Sequence, residues 1–296
     1  VLSAALGEGI DAEAFLKLEN LQITGSFKIR GAANAMLALS ARDRQRGVVS
    51  ASTGNHGAAV AHMAGALGCP ATIYLPAGAS GAKVERLSRL GAELRFVGED
   101  CVEAELKARA IADEAGRAFI SPYNDPAVVA GQGTVGLEIE HQLDSADAVL
   151  VPVGGGGLIA GIAASLRAVR DQIEIIGCQP SHSPVMHESI LAGRILELES
   201  RATLSDGTAG GMEPDSITFE LCRDLVDDFV LVSEEEIAEA MRLVVRRHHL
   251  LIEGAAALPV AALLKEHERF RGRRIVAVLS GGNVDLDTLA EVLGTT

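Results

Sequence analysis

Short β-branched runs and helix-length stretches alternate almost without a break along this chain, and that order limits the fold more than any other feature. The runs are Ala71–Tyr74, Glu93–Val97, Ala148–Val153, Glu174–Cys178, Asp228–Val232 and Arg274–Leu279, with further strands at Ala14–Leu18 and around Val48–Ser50. Between them lie helical stretches at Asn55–Leu67, Gly81–Leu90, Glu99–Ala115, Pro126–His141, Glu234–Arg247 and Ala255–Leu263. Strands separated by helices predict an α/β fold with mostly parallel, twisted sheets flanked by helices. The apolar strand Ala148-Val149-Leu150-Val151-Pro152-Val153 reads as central and covered on both faces.

A chain of 296 residues makes one large domain or two lobes. Residues 45–125 hold strand–helix units of their own. They are expected to form a small inserted domain, with 1–44 and 126–296 making the larger one and a ligand cleft between the two lobes. The formal net charge of −14 argues against nucleic acid or an acidic membrane surface as partner. No apolar run reaches transmembrane length and no signal peptide opens the chain. The cysteines Cys69, Cys101, Cys178 and Cys222 form no Cys-x-x-Cys pair, which fits free thiols in a reducing cytoplasm. Because Val1 stands where a methionine is expected, a preceding segment is anticipated. In Glu234–Arg247, acids in the first turn and the basic run from Arg246 to His249 at the end complement the helix dipole.

Five stretches carry candidate chemistry. In Thr24-Gly25-Ser26-Phe27-Lys28-Ile29-Arg30-Gly31-Ala32, Lys28 stands just inside a helix expected to run to about Leu39. The positive end of a helix dipole and partial burial both favour a neutral amine, the form a Schiff-base lysine needs. Ser52-Thr53-Gly54-Asn55-His56-Gly57 sets hydroxyl and amide groups beside fresh helix N–H groups, a suitable cradle for a carboxylate, with His56 orienting the loop or serving as a base. The four consecutive glycines Gly154 to Gly157 follow the central strand and let N–H groups converge on a phosphate at a helix N-terminus.

Gly155, Gly157 and Ala160 also match Gly-x-Gly-x-x-Ala, a weak dinucleotide fingerprint. The next strand ends Ile176-Gly177-Cys178-Gln179, without the acid a ribose needs, so a lone phosphate fits better. Ser280, in Leu279-Ser280-Gly281-Gly282-Asn283, puts a hydroxyl at a strand end without a Gly-x-Ser-x-Gly elbow, which favours a hydrogen-bonding role. Ser205-Asp206-Gly207-Thr208-Ala209-Gly210-Gly211 reads as a loop able to close over a ligand.

In this order, Ser-Phe-Lys-Ile-Arg-Gly-Ala, Ser-x-Gly-Asn-His-Gly, Gly-Gly-Gly-Gly-Leu and Ser-Gly-Gly-Asn-Val resemble the fold type II pyridoxal-phosphate enzymes, in particular the threonine/serine dehydratase and serine racemase group. Pro126-Ala127-Val128-Val129-Ala130-Gly131-Gln132-Gly133-Thr134 matches as well, and the resemblance covers nearly the whole chain. It implies pyridoxal 5'-phosphate held by Lys28 as a Schiff base in a large cofactor-binding domain. Gly154, Gly155, Gly156 and Gly157 would bind its phosphate, Asn55 its ring hydroxyl and Ser280 its pyridine nitrogen, with Phe27 packed beside the ring. Ser52, Thr53, Asn55 and His56, with Gly207 and Thr208, would hold the amino-acid substrate. Freed Lys28 would act as general base, in a dehydratase that turns a 3-hydroxy amino acid into a 2-oxo acid and ammonia. An amino-acid racemase is the alternative. A cytoplasmic homodimer is the assembly the resemblance implies.

Three departures bear on this. Racemases of the group carry serine, and its threonine dehydratases commonly alanine, where this chain has Thr53. Metal-binding members carry acids in Glu-Pro-Ser-Asn-Ala-Asp-Asp, whereas Gln179-Pro180-Ser181-His182-Ser183-Pro184-Val185 has none, so no metal is expected there. Thr208-Ala209-Gly210-Gly211 lacks bulky residues, and this resembles dehydratases of larger 3-hydroxy amino acids such as phenylserine and hydroxyectoine-pathway enzymes. With the chain ending soon after Ser280, no isoleucine-responsive regulatory domain is expected.

Overall fold

The computed structural model describes residues 1–79, 81–99, 101–170 and 172–294. In chain order the elements are α1 (Ala4–Ile10), β1 (Glu13–Leu18), α2 (Lys28–Ala38), α3 (Ala41–Arg46), β2 (Val48–Ala51), α4 (Asn55–Leu67), β3 (Ala71–Leu75), α5 (Gly81–Arg89), β4 (Glu93–Phe96), α6 (Cys101–Glu114), β5 (Ala118–Phe119) and α7 (Pro126–Gln142). There follow β6 (Ala148–Pro152), α8 (Gly157–Arg167), β7 (Glu174–Pro180), α9 (Val185–Ala192), α10 (Ile217–Leu225), β8 (Asp228–Val232), α11 (Glu234–His248), α12 (Gly254–Lys265), α13 (His267–Phe270), β9 (Arg274–Leu279) and α14 (Leu286–Gly294). Every helix and strand expected from the pattern is present, most with ends shifted by a residue or two. Helices α1, α3, α9, α10, α13 and α14 and the two-residue β5 were not among the expected elements; Pro184 and Ser216 stand at the N-caps of α9 and α10.

Two compact units emerge: Val1–Phe27 with Gly133–Thr296, and Lys28–Gln132. The larger unit holds a sheet in the order β1-β9-β6-β7-β8, and all its named pairings are parallel. Strand β6 lies in the middle and all five of its residues are buried, which is why it carries no polar face. Helix α12 is apolar around its whole circumference from Gly254 to Leu263; all ten of those residues are buried, and Ala256 to Leu258 and Val260 to Leu263 join the core with the strands of the sheet. Helix α11 is amphipathic instead. Its N-terminus is closed by a capping box, with Glu236 N donating to Ser233 Oγ at 3.3 Å and Ser233 N to Glu236 Oε2 at 2.7 Å.

The smaller unit holds the parallel sheet β4-β3-β2-β5. Its limits differ from the expected 45–125 because α2 belongs to it. Ile29, Ala32, Ala35 and Met36 recur on one face of α2 and share a core with Ala58, Ala59, Val60 and Ala64 of α4. Two bonds tie α2 to the start of α7: Asn34 Nδ2 donates to Ala127 O at 2.7 Å, and Gly31 N donates to Gln132 Oε1 at 3.1 Å. At this crossing a Cβ on Gly31 would overlap the Gln132 amide and stand 2.8 Å from Val128 Cγ1. The helix that opens with Lys28 is therefore seated by a close approach of backbones.

Among the described residues, no helix is long and apolar enough to cross a membrane. Cys69, Cys178 and Cys222 are buried free thiols, and burial pushes the Cys178 and Cys222 thiols far up. The side chain of Cys101 lies outside the described residues.

Alanine normally improves a helix over glycine by about 1 kcal/mol. At Gly31 the steric cost reverses that sign, and Gly31→Ala should destabilise the protein by about 1–3 kcal/mol. Gly65 in α4 is exposed with nothing within 4 Å of its added Cβ, so Gly65→Ala should stabilise by up to about 1 kcal/mol. Urea unfolding of the two variants beside the parent reads both signs.

Candidate active site

The segment that leads into α2 is stitched to the segment after β9. Gly282 N donates to Gly25 O at 2.9 Å and Phe27 N to Ser280 O at 3.0 Å, while Asn283 Nδ2 donates to Thr24 O at 3.0 Å. Phe27 thereby lies beside Ser280, which follows the last residue of β9 and is 2% exposed. Lys28 comes next in the chain as the first residue of α2. Its Nζ donates to the main-chain oxygen of Pro122 at 2.7 Å.

Residues 52–54 form the turn between β2 and the N-terminus of α4. Gly54 is the N-cap and its N–H donates to Ser52 Oγ at 3.2 Å; Ser52, Thr53 and Asn55 are half-buried. The first N–H groups of a 13-residue helix have no intrahelical acceptor, and they attract an anion. His56 points elsewhere. Its ring is 2% exposed and its Nε2 donates to Ile120 O at 2.9 Å. Burial, joined by the charge of Lys28, pushes the imidazole down to about 3, against the smaller opposite effect of the Ile120 bond. A neutral imidazole that spends its proton on a carbonyl is not placed as a general base at neutral pH. What His56 can offer a ligand at the turn is its main-chain N–H.

The glycine run bridges β6 and α8. Gly156 is the N-cap with φ +83°, a left-handed conformation that favours glycine. A Cβ there would stand 2.7 Å from Met186 Cε and 3.1 Å from Cys222 Sγ. A Cβ on Gly154 would stand 2.9 Å from Thr208 Cα. Thr218 Oγ1 donates to Gly155 O at 2.6 Å, and Gly157 opens α8. The run is thus a walled cradle at a helix N-terminus, formed by α9, α10 and the turn at Thr208.

That turn, Asp206–Thr208, is a short 3-10 helix rather than a loose flap. Thr208 Oγ1 donates to Ser205 O at 3.0 Å and lies 2.6 Å from Ser205 Oγ, so its hydroxyl is occupied within the turn. Thr208 is buried and Gly207 is exposed.

In the segment read as free of metal ligands, Gln179 Nε2 donates to Val153 O at 3.2 Å and its Oε1 accepts from His187 N at 2.9 Å. His182 Nδ1 lies 2.6 Å from Ala202 O. Among the described residues, no group of three or more His, Cys, Asp or Glu side chains is arranged to hold a metal ion.

Residues 1–281 match the family described as "Pyridoxal-phosphate dependent enzyme". The chain belongs to that family. It is 42% identical over 291 residues to a protein named L-threonine ammonia-lyase from Thermotoga maritima, covering 98% of this chain and 72% of that one. It is 42% identical over 289 residues to L-threonine dehydratase catabolic TdcB of Escherichia coli K12, covering 97% and 88%. Among solved structures, the processed form of threonine deaminase isoform 2 from Solanum lycopersicum matches with a TM-score of 0.93 at 34% identity, covering 99% of this chain and 86% of that one. Maize serine racemase matches with 0.91 at 34%, covering 99% and 90%. As a fold type II pyridoxal-phosphate enzyme, the protein takes pyridoxal 5'-phosphate as its cofactor.

The residues present fit that group. A lysine opens a helix, a glycine cradle without side chains faces a helix N-terminus, and a buried serine ends a strand. The sequence reading missed the supports: Pro122, whose acceptor is main chain, and Thr218, which braces the glycine run from a helix that was not expected. Main-chain acceptors carry no residue-type signal.

The His56 shift implies a pH dependence. Its folded-state value is depressed below the unfolded 6.5, so its contribution is present above pH 6.5 and is lost as pH falls toward about 3. Within that window the unfolded chain binds one more proton. Unfolding free energy should drop by about 1.4 kcal/mol per pH unit from this group. Denaturant titrations of the parent and of His56→Leu across the window should differ by that slope.

Proposed function

We propose that this chain is a pyridoxal-phosphate-dependent ammonia-lyase, or dehydratase, that converts a 3-hydroxy amino acid such as threonine or serine into a 2-oxo acid and ammonia. The names of relatives 42% identical over nearly the full chain support the reaction class. The observation that carries the site is the Phe27–Ser280 main-chain bond. It sets the residue before Lys28 beside the strand-end serine, and the proposed roles of Phe27, Lys28 and Ser280 need that adjacency.

In this reading Lys28 carries the cofactor, Gly154, Gly155, Gly156 and Gly157 take its phosphate through main-chain N–H groups, Asn55 takes its ring hydroxyl and Ser280 its pyridine nitrogen. Bound there, pyridoxal phosphate supplies an electron sink for a bond breaking at the substrate Cα. Ser52, Thr53 and Asn55, with the main-chain N–H of His56, hold the substrate carboxylate at the N-terminus of α4. The amine of Lys28, freed when the substrate amine takes its place, accepts the Cα proton as general base, and the Cβ hydroxyl departs as water with the equivalent of that proton. Water then releases ammonia and leaves the 2-oxo acid. Ser280 would meet the ring nitrogen with a neutral hydroxyl rather than a carboxylate, which would suit elimination of the β-hydroxyl.

Gly207 and Thr208 line the substrate side through the backbone of a small-residue turn, which leaves room for a side chain larger than that of threonine. No divalent cation takes part through residues 179–185. The protein works in the cytoplasm as a homodimer, the assembly that the family resemblance implies. A racemase is the second reading, favoured by the 34% identity to maize serine racemase.

Assay of a panel of 3-hydroxy amino acids for ammonia and 2-oxo acid, with optical inversion followed alongside, separates these readings. Ammonia release should dominate, and Lys28→Ala should lower it by about 10²–10⁴-fold. Inversion without ammonia release would overturn the dehydratase reading. Exhaustive dialysis against a chelator should leave the rate within about twofold if no metal ion takes part, since removing a Lewis-acid metal withdraws several kcal/mol of transition-state stabilisation.

A further inference from the structure

The amine of Lys28 rests on a main-chain oxygen, and that oxygen is anchored on both sides by buried polar groups that bear on no other part of the proposed reaction. Two residues before Pro122, the oxygen of Ile120 accepts from Ser50 Oγ at 2.8 Å and from His56 Nε2 at 2.9 Å, which fills both of its lone pairs. Ile120 N donates in turn to Val49 O at 2.8 Å. On the other side, Ser121 Oγ accepts from Asn124 N at 2.9 Å and from Tyr123 N at 3.4 Å, closing a turn around Pro122. Ser50 and Ser121 are 0% exposed, and the Pro122 ring fixes its own backbone angle.

Polar side chains buried at one strand end are costly to place, and apolar ones would fill the same space without that cost. Here they tie a short, irregular stretch of backbone to β2, to α4 and to its own turn. A lysine side chain has four rotatable bonds, and a fixed acceptor narrows the arrangements it samples.

We infer that the main-chain carbonyl of Pro122 is the docking acceptor that aims the Lys28 amine whenever it carries no covalent bond, and that Ser50 and His56 are positioning residues acting through it. The inference rests on the proposed role of Lys28. It assigns the His56 side chain a task distinct from substrate contact: its ring nitrogen fixes the strand end that carries the acceptor. The neutrality of His56 serves that task, because a second positive charge near the amine would repel it. All the groups involved lie within residues 28–132, so the device is internal to one compact unit.

The test uses full-length protein stripped of cofactor and reloaded with pyridoxal phosphate. In the parent, Ser50→Ala, His56→Leu and His56→Gln, three quantities are read: the rate of adduct formation at Lys28 by absorbance, reductive methylation of Lys28 relative to Lys265 by mass spectrometry, and the thermal midpoint. Loading should slow about tenfold in Ser50→Ala and by up to about 100-fold in His56→Leu, with Lys28 methylated faster in both. His56→Gln keeps a donor near the position of Nε2 and should recover the loading rate lost in His56→Leu. Unchanged loading and labelling in Ser50→Ala would overturn the proposal, and that variant decides alone if His56→Leu does not fold. So would a loss that only follows the thermal midpoint with no recovery in His56→Gln. A parent that forms no adduct at Lys28 would instead sink the cofactor role, and the methylation comparison still decides the docking.

Discussion

The register between β1 and β9 is the constraint from which the site descends. Six residue pairs run parallel from Glu13 against Arg274 to Leu18 against Leu279, joining segments about 260 residues apart in the sequence. Beyond the last pair, the two segments stay together through the Gly25–Gly282 and Phe27–Ser280 main-chain bonds. A slip of one residue would turn every β1 side chain to the opposite face, bringing Glu13 and Lys17 to the face on which Ala14 and Leu16 are now buried. It would also carry Phe27 away from Ser280. The apolar periodicity of one short strand thus sets where the helix opening with Lys28 begins.

At two other helix starts, one in each unit, the chain relies on backbone more than on charged side chains. The N-termini of α4 and α8 supply N–H groups, and the turns leading to them avoid bulk. At Gly154 and Gly156, a methyl group would meet Thr208 and Met186, so glycine is required by steric fit as well as by conformation. His56 shows the same economy. Its basicity is suppressed by burial, and its Nε2–H serves a carbonyl. A positively charged imidazole there would need water or a counter-charge, and its buried surroundings offer neither readily.

The architecture was readable because parallel strands buried on both faces need continuous apolar runs, and crossovers need helices. Runs such as Ala148–Pro152 and Arg274–Leu279 meet that requirement in the primary sequence. The unit boundary was less readable. Where α2 belongs depends on which surface its Ile29–Met36 face meets, and amphipathic periodicity gives the face but not its partner. Helices such as α1, α3, α9 and α10 escaped notice because they are short, six to nine residues each, and span too few turns for a clear apolar period. The turn at Asp206–Thr208 looked like a flexible glycine loop, yet Ser205 and Thr208 close it with their own hydroxyls.

The amino-acid sequence by itself determined the α/β class, the order of the chemistry-bearing loops along the chain and the membership of Lys28, Asn55, the Gly154–Gly157 run and Ser280 in one family pattern. These follow from local periodicity, from residue type and from spacing, all of which are properties of neighbours in the chain. Only the tertiary structure decided that the His56 ring turns inward to Ile120, that Thr208 spends its hydroxyl on Ser205 and that the Lys28 amine rests on the carbonyl of Pro122. Each of these is a hydrogen bond to a partner whose position depends on packing. Where the acceptor is the peptide group that every residue carries, nothing in the sequence marks it in advance.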